Sequence, residues 1–100
     1  METIIEEKDQ VAIVTMKGRL ETSESADAQE KVSTLYEKNL KQVIIECKDL
    51  EYIASSGLRI MYLLIKNMKP KGAEVVIRNA NCLLKEVFDS TGFTPLFKFE

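Results

Sequence analysis

Short apolar runs alternate with helix-like segments along this chain, and no other feature restricts its fold as much. Residues 3–7 and 11–17 have strand character and are joined by the polar turn 8–10, which predicts a hairpin. Gly18 is expected to end the second strand. Further strands are predicted at 42–47, at 74–78 and, as a short edge strand, at 96–99. The run at 42–47 is continuously apolar, as in a strand covered on both faces.

Three helices are predicted between these strands, at 24–38, 57–69 and 82–91. In the first helix, Ala28, Val32, Leu35 and Tyr36 recur at helical spacing and form one apolar stripe. Its start is expected to be capped at 22–23. Its end is expected at Asn39 in the left-handed conformation.

The second and third helices have clear end signals. Pro70 and Gly72 are expected to end the second, and Gly92 the third. Helical projection places core candidates on one side of each. These are Ile60, Met61, Leu64, Ile65 and Met68 in the second helix, and Leu84, Val87 and Phe88 in the third.

The expected fold is therefore a single α/β domain over residues 1–100. Its sheet has four to five strands, antiparallel at the N-terminal hairpin and parallel afterwards, with flanking helices. A domain of this size buries roughly 65% of its unfolded surface, so one core can form without disulfides or metal.

Composition removes several classes of function. The 14 basic residues are scattered among 16 acidic ones, so the basic stripe of a nucleic-acid binder is missing. Without histidine the chain cannot supply a Ser-His or Cys-His nucleophile pair, and its two cysteines cannot complete a structural zinc site. Neither common nucleotide-binding loop is present. We expect neither an enzyme nor a bound metal or cofactor.

The cysteines and the start of the chain indicate a cytoplasmic protein. Met1 is followed by Glu2 rather than by an apolar leader, and no apolar run approaches the ~20 residues of a membrane span. Cys47 and Cys82 are expected to be reduced, unpaired and buried. The alternative for Cys82 is a reactive thiol at a helix start.

The segment KDLEYIASSGLRI, residues 48–60, is the most informative part of the sequence. Ser55, Ser56 and Gly57 fall where the backbone N–H groups of a helix start have no partner. The helix dipole favours negative charge there, so a phosphate would be stabilised. The alternative is that Ser55 or Ser56 simply caps the helix, which from the residues alone is the more common case.

This segment resembles the signature of STAS-domain anti-sigma-factor antagonists, in which a strand, Asp-Leu or Asp-Phe, a short spacer and Ser-Ser-Gly-Leu precede a helix. Residues 18–21 (GRLE) are similar to the family's G-x-L-D, and residues 90–93 (STGF) to its T-G-hydrophobic ending. The resemblance implies that Ser56 is phosphorylated by a partner that is both an anti-sigma factor and a serine kinase. Binding would release the sigma factor, phosphorylation would weaken binding, and a serine phosphatase would reset the cycle.

The resemblance also implies a set of residues around Ser56. The phosphoacceptor loop and partner-binding positions are Glu21, Ala54, Ser55, Gly57, Arg59, Tyr62 and Leu63. Many members have aspartate where this chain has Ala54, and the G-x-L-D aspartate is replaced by Glu21. Tyr62 and Leu63 lie on the polar side of their helix. The alternative is that they are ordinary scattered surface apolars.

Three other functions compete with a phosphorylated antagonist. The first is a STAS adaptor in a larger complex that is never phosphorylated. The second is a serine hydrolase, although the chain lacks the G-x-S-x-G elbow and would need a lysine close to Ser56. The third is a binder of small anions or nucleotides at the same helix start.

Overall fold

A tight hairpin begins the sheet in the computed structural model, which describes all of residues 1–100. Strands β1 (Glu2–Lys8) and β2 (Val11–Leu20) pair antiparallel, with Lys8 opposite Val11. Asp9 and Gln10 between them both have positive φ, at 53° and 65°. That backbone is typical of a two-residue type I′ turn, whose twist matches the strands it joins.

The remaining elements follow the predicted order, with one strand, at residues 50–53, added. They are α1 (Thr22–Ser33), β3 (Gln42–Glu46), β4 (Leu50–Ile53), α2 (Ser55–Met68), β5 (Glu74–Arg78), α3 (Cys82–Ser90) and β6 (Lys98–Phe99), with 3₁₀ turns at Lys69–Lys71 and Thr94–Leu96. The sheet order is β1-β2-β3-β5-β6, and β4 pairs with β2. Every pairing after the hairpin is parallel, so the expected mixed α/β fold is confirmed. None of the helices is long and apolar enough to cross a membrane.

The three helices share one face of the sheet. The strand order advances in one direction from β2 to β3, β5 and β6, so right-handed crossovers place every connecting helix on the same side. The core agrees, because it includes Val43 and Ile45 of β3 but not Ile44 between them. Ile44 is nonetheless buried, in register between Ile13 and Val76. On the face without helices, the side chains of Ile13 and Val76 flank Ile44, so β3 is not covered by a helix layer on both faces as its apolar run suggested.

Helix α1 differs from its prediction at both ends. It begins at Thr22, and Glu21 is its N-cap without a side-chain hydrogen bond, so residues 22–23 lie inside the helix. It ends at Ser33, because the hydroxyls of Ser33 and Thr34 donate to the carbonyls three residues earlier, at distances of 2.8 and 2.7 Å. Asn39 does not adopt the left-handed conformation. The predicted stripe is still correct, since Ala28, Val32 and Leu35 are fully buried and Tyr36 is half-buried.

Strand β4 is absent from the sequence prediction, and Gly18 explains its place in the sheet. Gly18 has a φ of 94°, and the register of β2 against β4 shifts between Gly18 and Arg19. This bulge redirects β2 without ending it, and its last residues pair with β4. The sheet therefore has six strands instead of four to five, and the expectation that Gly18 ends the strand was wrong.

The end signals and core positions predicted for the later helices are confirmed, although α2 begins at Ser55, two residues before the predicted start. Pro70 and Gly72 follow α2, and Gly72 has a φ of 84°. Gly92 follows α3 with a φ of 78°. The predicted core residues Ile60, Met61, Leu64, Ile65, Met68, Leu84 and Phe88 are all buried, and Val87 packs against them partly buried.

Gly57 brings the first turn of α2 into close contact with the sheet. A Cβ atom at this position would lie 2.7 Å from both Ile53 Cγ1 and Leu20 Cδ2. Both neighbours are buried, Leu20 completely, so neither has open space into which to move. Only glycine allows the helix to sit at this distance.

We expect Gly57→Ala to lower stability, although alanine is the better helix former. Helix propensity favours alanine by roughly 0.5–1 kcal/mol, whereas overpacking a core costs about 1–3 kcal/mol. The difference is a net loss of up to about 2.5 kcal/mol, and a loss of about 1 kcal/mol would lower the melting temperature by several degrees. The control is Ser55→Ala in the same turn, where the side chain is exposed. A melting temperature for Gly57→Ala at or above that of the parent would contradict the close contact.

The two cysteines lie in opposite environments. Cys47 is completely buried, and burial together with the neighbouring Glu46 carboxylate raises the pKa of its thiol to about 12. Cys82 is exposed at the start of α3. The expected burial is confirmed for Cys47 and was wrong for Cys82, because Leu84 and Phe88 are the α3 residues that turn into the core.

At pH 8, a thiol-alkylating reagent should therefore modify Cys82 rapidly and Cys47 only through unfolding. The thiolate is the reactive form, and a pKa of about 12 leaves almost none of it in folded Cys47. Intact mass should show one fast adduct, and a second whose rate increases when Gly57→Ala destabilises the fold. Two equally fast adducts in the native parent would refute the burial of Cys47.

Candidate functional site

The start of α2 is an open helix end held by backbone contacts. Ala54 is its N-cap, with an extended backbone and no side chain able to cap the turn. The Ala54 N–H donates to the carbonyl of Leu20 at 2.9 Å, and its own carbonyl accepts from the N–H groups of Gly57 and Leu58 at 2.9 and 3.1 Å. These bonds fix the helix start against β2 while no side chain caps its first N–H groups.

The two serines of the motif have different roles, and neither is a cap. Ser55 is exposed at the first position of α2, and Ser56 beside it is half-buried. The Ser56 Oγ lies 2.6 Å from the Oγ of Ser25 on α1. The capping interpretation was therefore wrong, since Ala54 is the N-cap and the Ser56 hydroxyl is bonded to another helix.

The direction of the Ser25–Ser56 bond follows from the other contact of Ser25. The Ser25 hydroxyl is also 3.0 Å from the carbonyl oxygen of Glu21, which can only accept. Ser25 has a single hydroxyl proton, so both contacts are hydrogen bonds only when Ser25 donates to Glu21 and Ser56 donates to Ser25. The Ser56 oxygen then keeps its lone pairs free.

Helices α1 and α2 form a shallow cavity of about 320 Å³ at this point. Its lining residues are Ser25, Ala26 and Gln29 from α1, and Ser56, Arg59, Ile60 and Leu63 from α2. Arg59 is exposed and takes part in none of the ion pairs of the chain. Of the residues expected from the sequence, the structure thus places Ser56, Arg59 and Leu63 around one cavity.

Glu21 contacts this site through its backbone. Its carbonyl oxygen accepts from Ser25, while its carboxylate pairs with Arg19 at 3.0 Å. The Arg19 guanidinium also lies 4.5 Å from the ring centroid of Tyr52. Both partners of this ion pair are about half exposed, so it adds little stability, about 0–1 kcal/mol.

Tyr62 lies apart from this cavity. It is 44% exposed, and its ring centroid is 6.4 Å from that of Phe93. It lines a separate groove beside Leu96 and the C-terminal half of α2. Tyr62 and Leu63, which the sequence grouped together, therefore belong to two neighbouring surfaces.

The α1 side of the cavity was missed by the sequence analysis. Ser25 lies three residues before Ala28 and so extends the apolar stripe of α1, a position where a hydroxyl needs a partner. This position could have indicated that the Ser25 hydroxyl forms a hydrogen bond in the folded chain. The identity of its partner, 31 residues away, could not be predicted from it.

The two residues with shifted pKa values do not line this cavity. Burial alone would raise the pKa of Glu46, but hydrogen bonds from Arg78, Asn79 and the N–H of Lys48 outweigh it and hold that pKa below its usual value. Glu46 and Cys47, the two groups with shifted pKa values, are not among the cavity residues. The chemistry of the cavity is that of two hydroxyls, an amide and a guanidinium.

Comparison with known proteins places this geometry in a family. BtrV of Bordetella bronchiseptica, named as an anti-sigma factor antagonist, is 24% identical over 97 residues, which are 97% of this chain and 84% of BtrV. The structure of the anti-sigma factor antagonist SpoIIAA in its unphosphorylated form has a TM-score of 0.80 at 15% identity, covering 99% of this chain and 87% of that one. Bacillus SpoIIAA in its phosphorylated form has a TM-score of 0.78 at 16% identity, covering 99% and 91%. The STAS domain model matches residues 2–100, and the chain belongs to the STAS domain family.

Proposed function

We propose that this chain is a cytoplasmic anti-sigma factor antagonist that binds an anti-sigma factor with serine kinase activity and is switched off by phosphorylation of Ser56. The observation that carries the proposal is the Ser56 hydroxyl, which lines a cavity at the uncapped start of α2. The names of BtrV and SpoIIAA support the antagonist function. The structures of SpoIIAA with and without phosphate support a modification that this fold tolerates.

The free domain is well suited to accept a phosphate at Ser56. A phosphoserine carries about −1.5 to −2 charges at pH 7. The start of α2 offers it the positive end of the helix dipole, worth about 0.3–1 kcal/mol at an exposed site. Ala54 leaves the first turn without a side-chain cap, and the unpaired Arg59 guanidinium is close by in the same cavity. Phosphorylation should therefore not unfold the domain.

A bound partner would respond differently. If it packs over the cavity between α1 and α2, it excludes water from Ser56 in the complex. An unpaired charge buried in an interface costs about 2–5 kcal/mol. The same phosphate is thus tolerated by the free domain and opposed in the complex, which is what a binding switch requires. A serine phosphatase would restore the binding form.

The competing functions have less support. No lysine lines the cavity around Ser56, so the Ser-Lys chemistry of a hydrolase has no base there. A STAS adaptor without phosphorylation remains the main alternative, and it is tested by the same experiment. The decisive difference is whether the captured partner transfers phosphate to Ser56.

Substitutions at Ser56 should separate binding from switching. Ser56→Ala should bind the partner and resist inactivation by ATP, because it has no hydroxyl. Ser56→Asp should bind about 30-fold more weakly or worse, because it places a charge in the interface. Affinity capture from native lysate, with and without ATP and followed by peptide mapping, measures both effects.

Ser55→Ala is the matched control, since it removes an adjacent exposed hydroxyl and leaves Ser56 intact. It should be phosphorylated and released like the parent. Phosphate on Ser55 alone, or tight binding without any phosphate, would reject the switch and favour the adaptor.

Leu63 should contribute to the partner-binding surface. It is half-buried beside Arg59 and Ser56, so Leu63→Glu should weaken partner capture while the melting temperature falls little. The control is Leu83→Glu on α3, where the side chain is 52% exposed and outside the cavity. Unchanged capture by Leu63→Glu would remove Leu63 from the interface, and a large loss of melting temperature would assign it to the core.

A further inference from the structure

The Ser25–Ser56 contact joins two helices through a single pair of hydroxyls. Ser25 is 9% exposed, and its oxygen lies 2.6 Å from that of Ser56 and 3.0 Å from the Glu21 carbonyl oxygen. With only one proton, Ser25 cannot donate to both at once. A change that removes the Ser56 proton leaves the contact between the two hydroxyl oxygens without a donor unless Ser25 turns its proton from the Glu21 carbonyl to Ser56.

We propose that Ser25 is the positioning residue of Ser56. Ser25 accepts a hydrogen bond from the Ser56 hydroxyl and donates one to Ser56 once that residue is phosphorylated. This inference rests on the proposed phosphorylation of Ser56. In the hydroxyl form, the bond to Ser25 holds the Ser56 side chain in one rotamer, with the oxygen lone pairs open to an incoming phosphoryl group. α1 thereby orients a group that belongs to α2.

Phosphorylation reverses the bond. The Ser56 Oγ forms a bond to the γ-phosphorus of ATP, the bond from that phosphorus to the bridging oxygen breaks and ADP leaves. The Ser56 proton leaves its hydrogen bond with Ser25 and passes to a base of the kinase. Ser56 then has only acceptors, so its contact with Ser25 is a hydrogen bond only when Ser25 donates to the phosphoserine. The Glu21 carbonyl oxygen loses the Ser25 proton and keeps the Glu24 N–H at 3.0 Å. The state of Ser56 is in this way communicated to the first turn of α1.

A hydrogen bond from Ser25 should favour the dianion of the phosphate. The ordinary second pKa of phosphoserine is about 6, and a donor to the charged form lowers it. The charged groups on the helices that carry the two serines are Arg59 in the cavity and, around the start of α1, Glu21 with its partner Arg19 and Glu24, which lies 4.0 Å from the Met1 amino group. Substitution of Ser25 leaves these groups in place, so it isolates the contribution of the hydroxyl.

The test uses the full chain with phosphoserine installed at position 56 by genetic encoding, so no kinase is required. The ³¹P resonance is titrated against pH in this background, alone and with Ser25→Ala. We expect Ser25→Ala to raise the second pKa of the phosphate by a few tenths of a unit. In the unphosphorylated proteins, side-chain couplings of Ser56 should show one rotamer in the parent and averaging in Ser25→Ala.

Ser23→Ala is the matched control, since it makes the same change on an exposed position of the same helix turn. It should match the parent in both measurements. Identical phosphate pKa values for Ser25→Ala and the parent would overturn the proposal, even if Ser56 switches partner binding. The two proposals can fail separately. If no kinase modifies Ser56, the proposed function is wrong, but the titration still tests Ser25 because the phosphoserine is installed without a kinase.

Discussion

The close contact of Gly57 with Leu20 and Ile53 is the constraint on which the candidate site depends. It lets α2 begin directly against the pair formed by β2 and β4, at a distance that no side chain would allow. Ala54 and the Leu20 carbonyl then fix the first turn. As a result, the serine before this glycine projects from a rigid element instead of a loop.

The bulge at Gly18 positions the start of α1, as Gly57 positions the start of α2. It turns the end of β2 away from β3 and toward β4, which carries the chain into α2. This change of direction also places Glu21 at the start of α1, and Ser25 follows one helical turn later. Two glycines far apart in sequence therefore bring the starts of α1 and α2 together.

The contact between these two helix starts combines rigidity with sensitivity to charge. Ser56 is anchored by its bond to Ser25, yet it lies at a cavity that also exposes Arg59 and part of Leu63. A change at one oxygen atom can alter the charge of this surface while the core behind Gly57 stays packed. This geometry is consistent with the proposed switch, in which local electrostatics control binding without a change of fold.

Sequence by itself determined the elements with strong local signals, because periodicity and glycine or proline stops act within a few residues. It predicted the hairpin, β3, β5, the core faces of α2 and α3, and Ser56 at a helix start. Only the tertiary structure decided the rest. Strand β4 exists because the tail of β2 is there to pair with it, and Ser56 is a donor and not a cap because Ser25 lies across from it. Those partners are more than 30 residues apart, and packing, not local preference, brings them together.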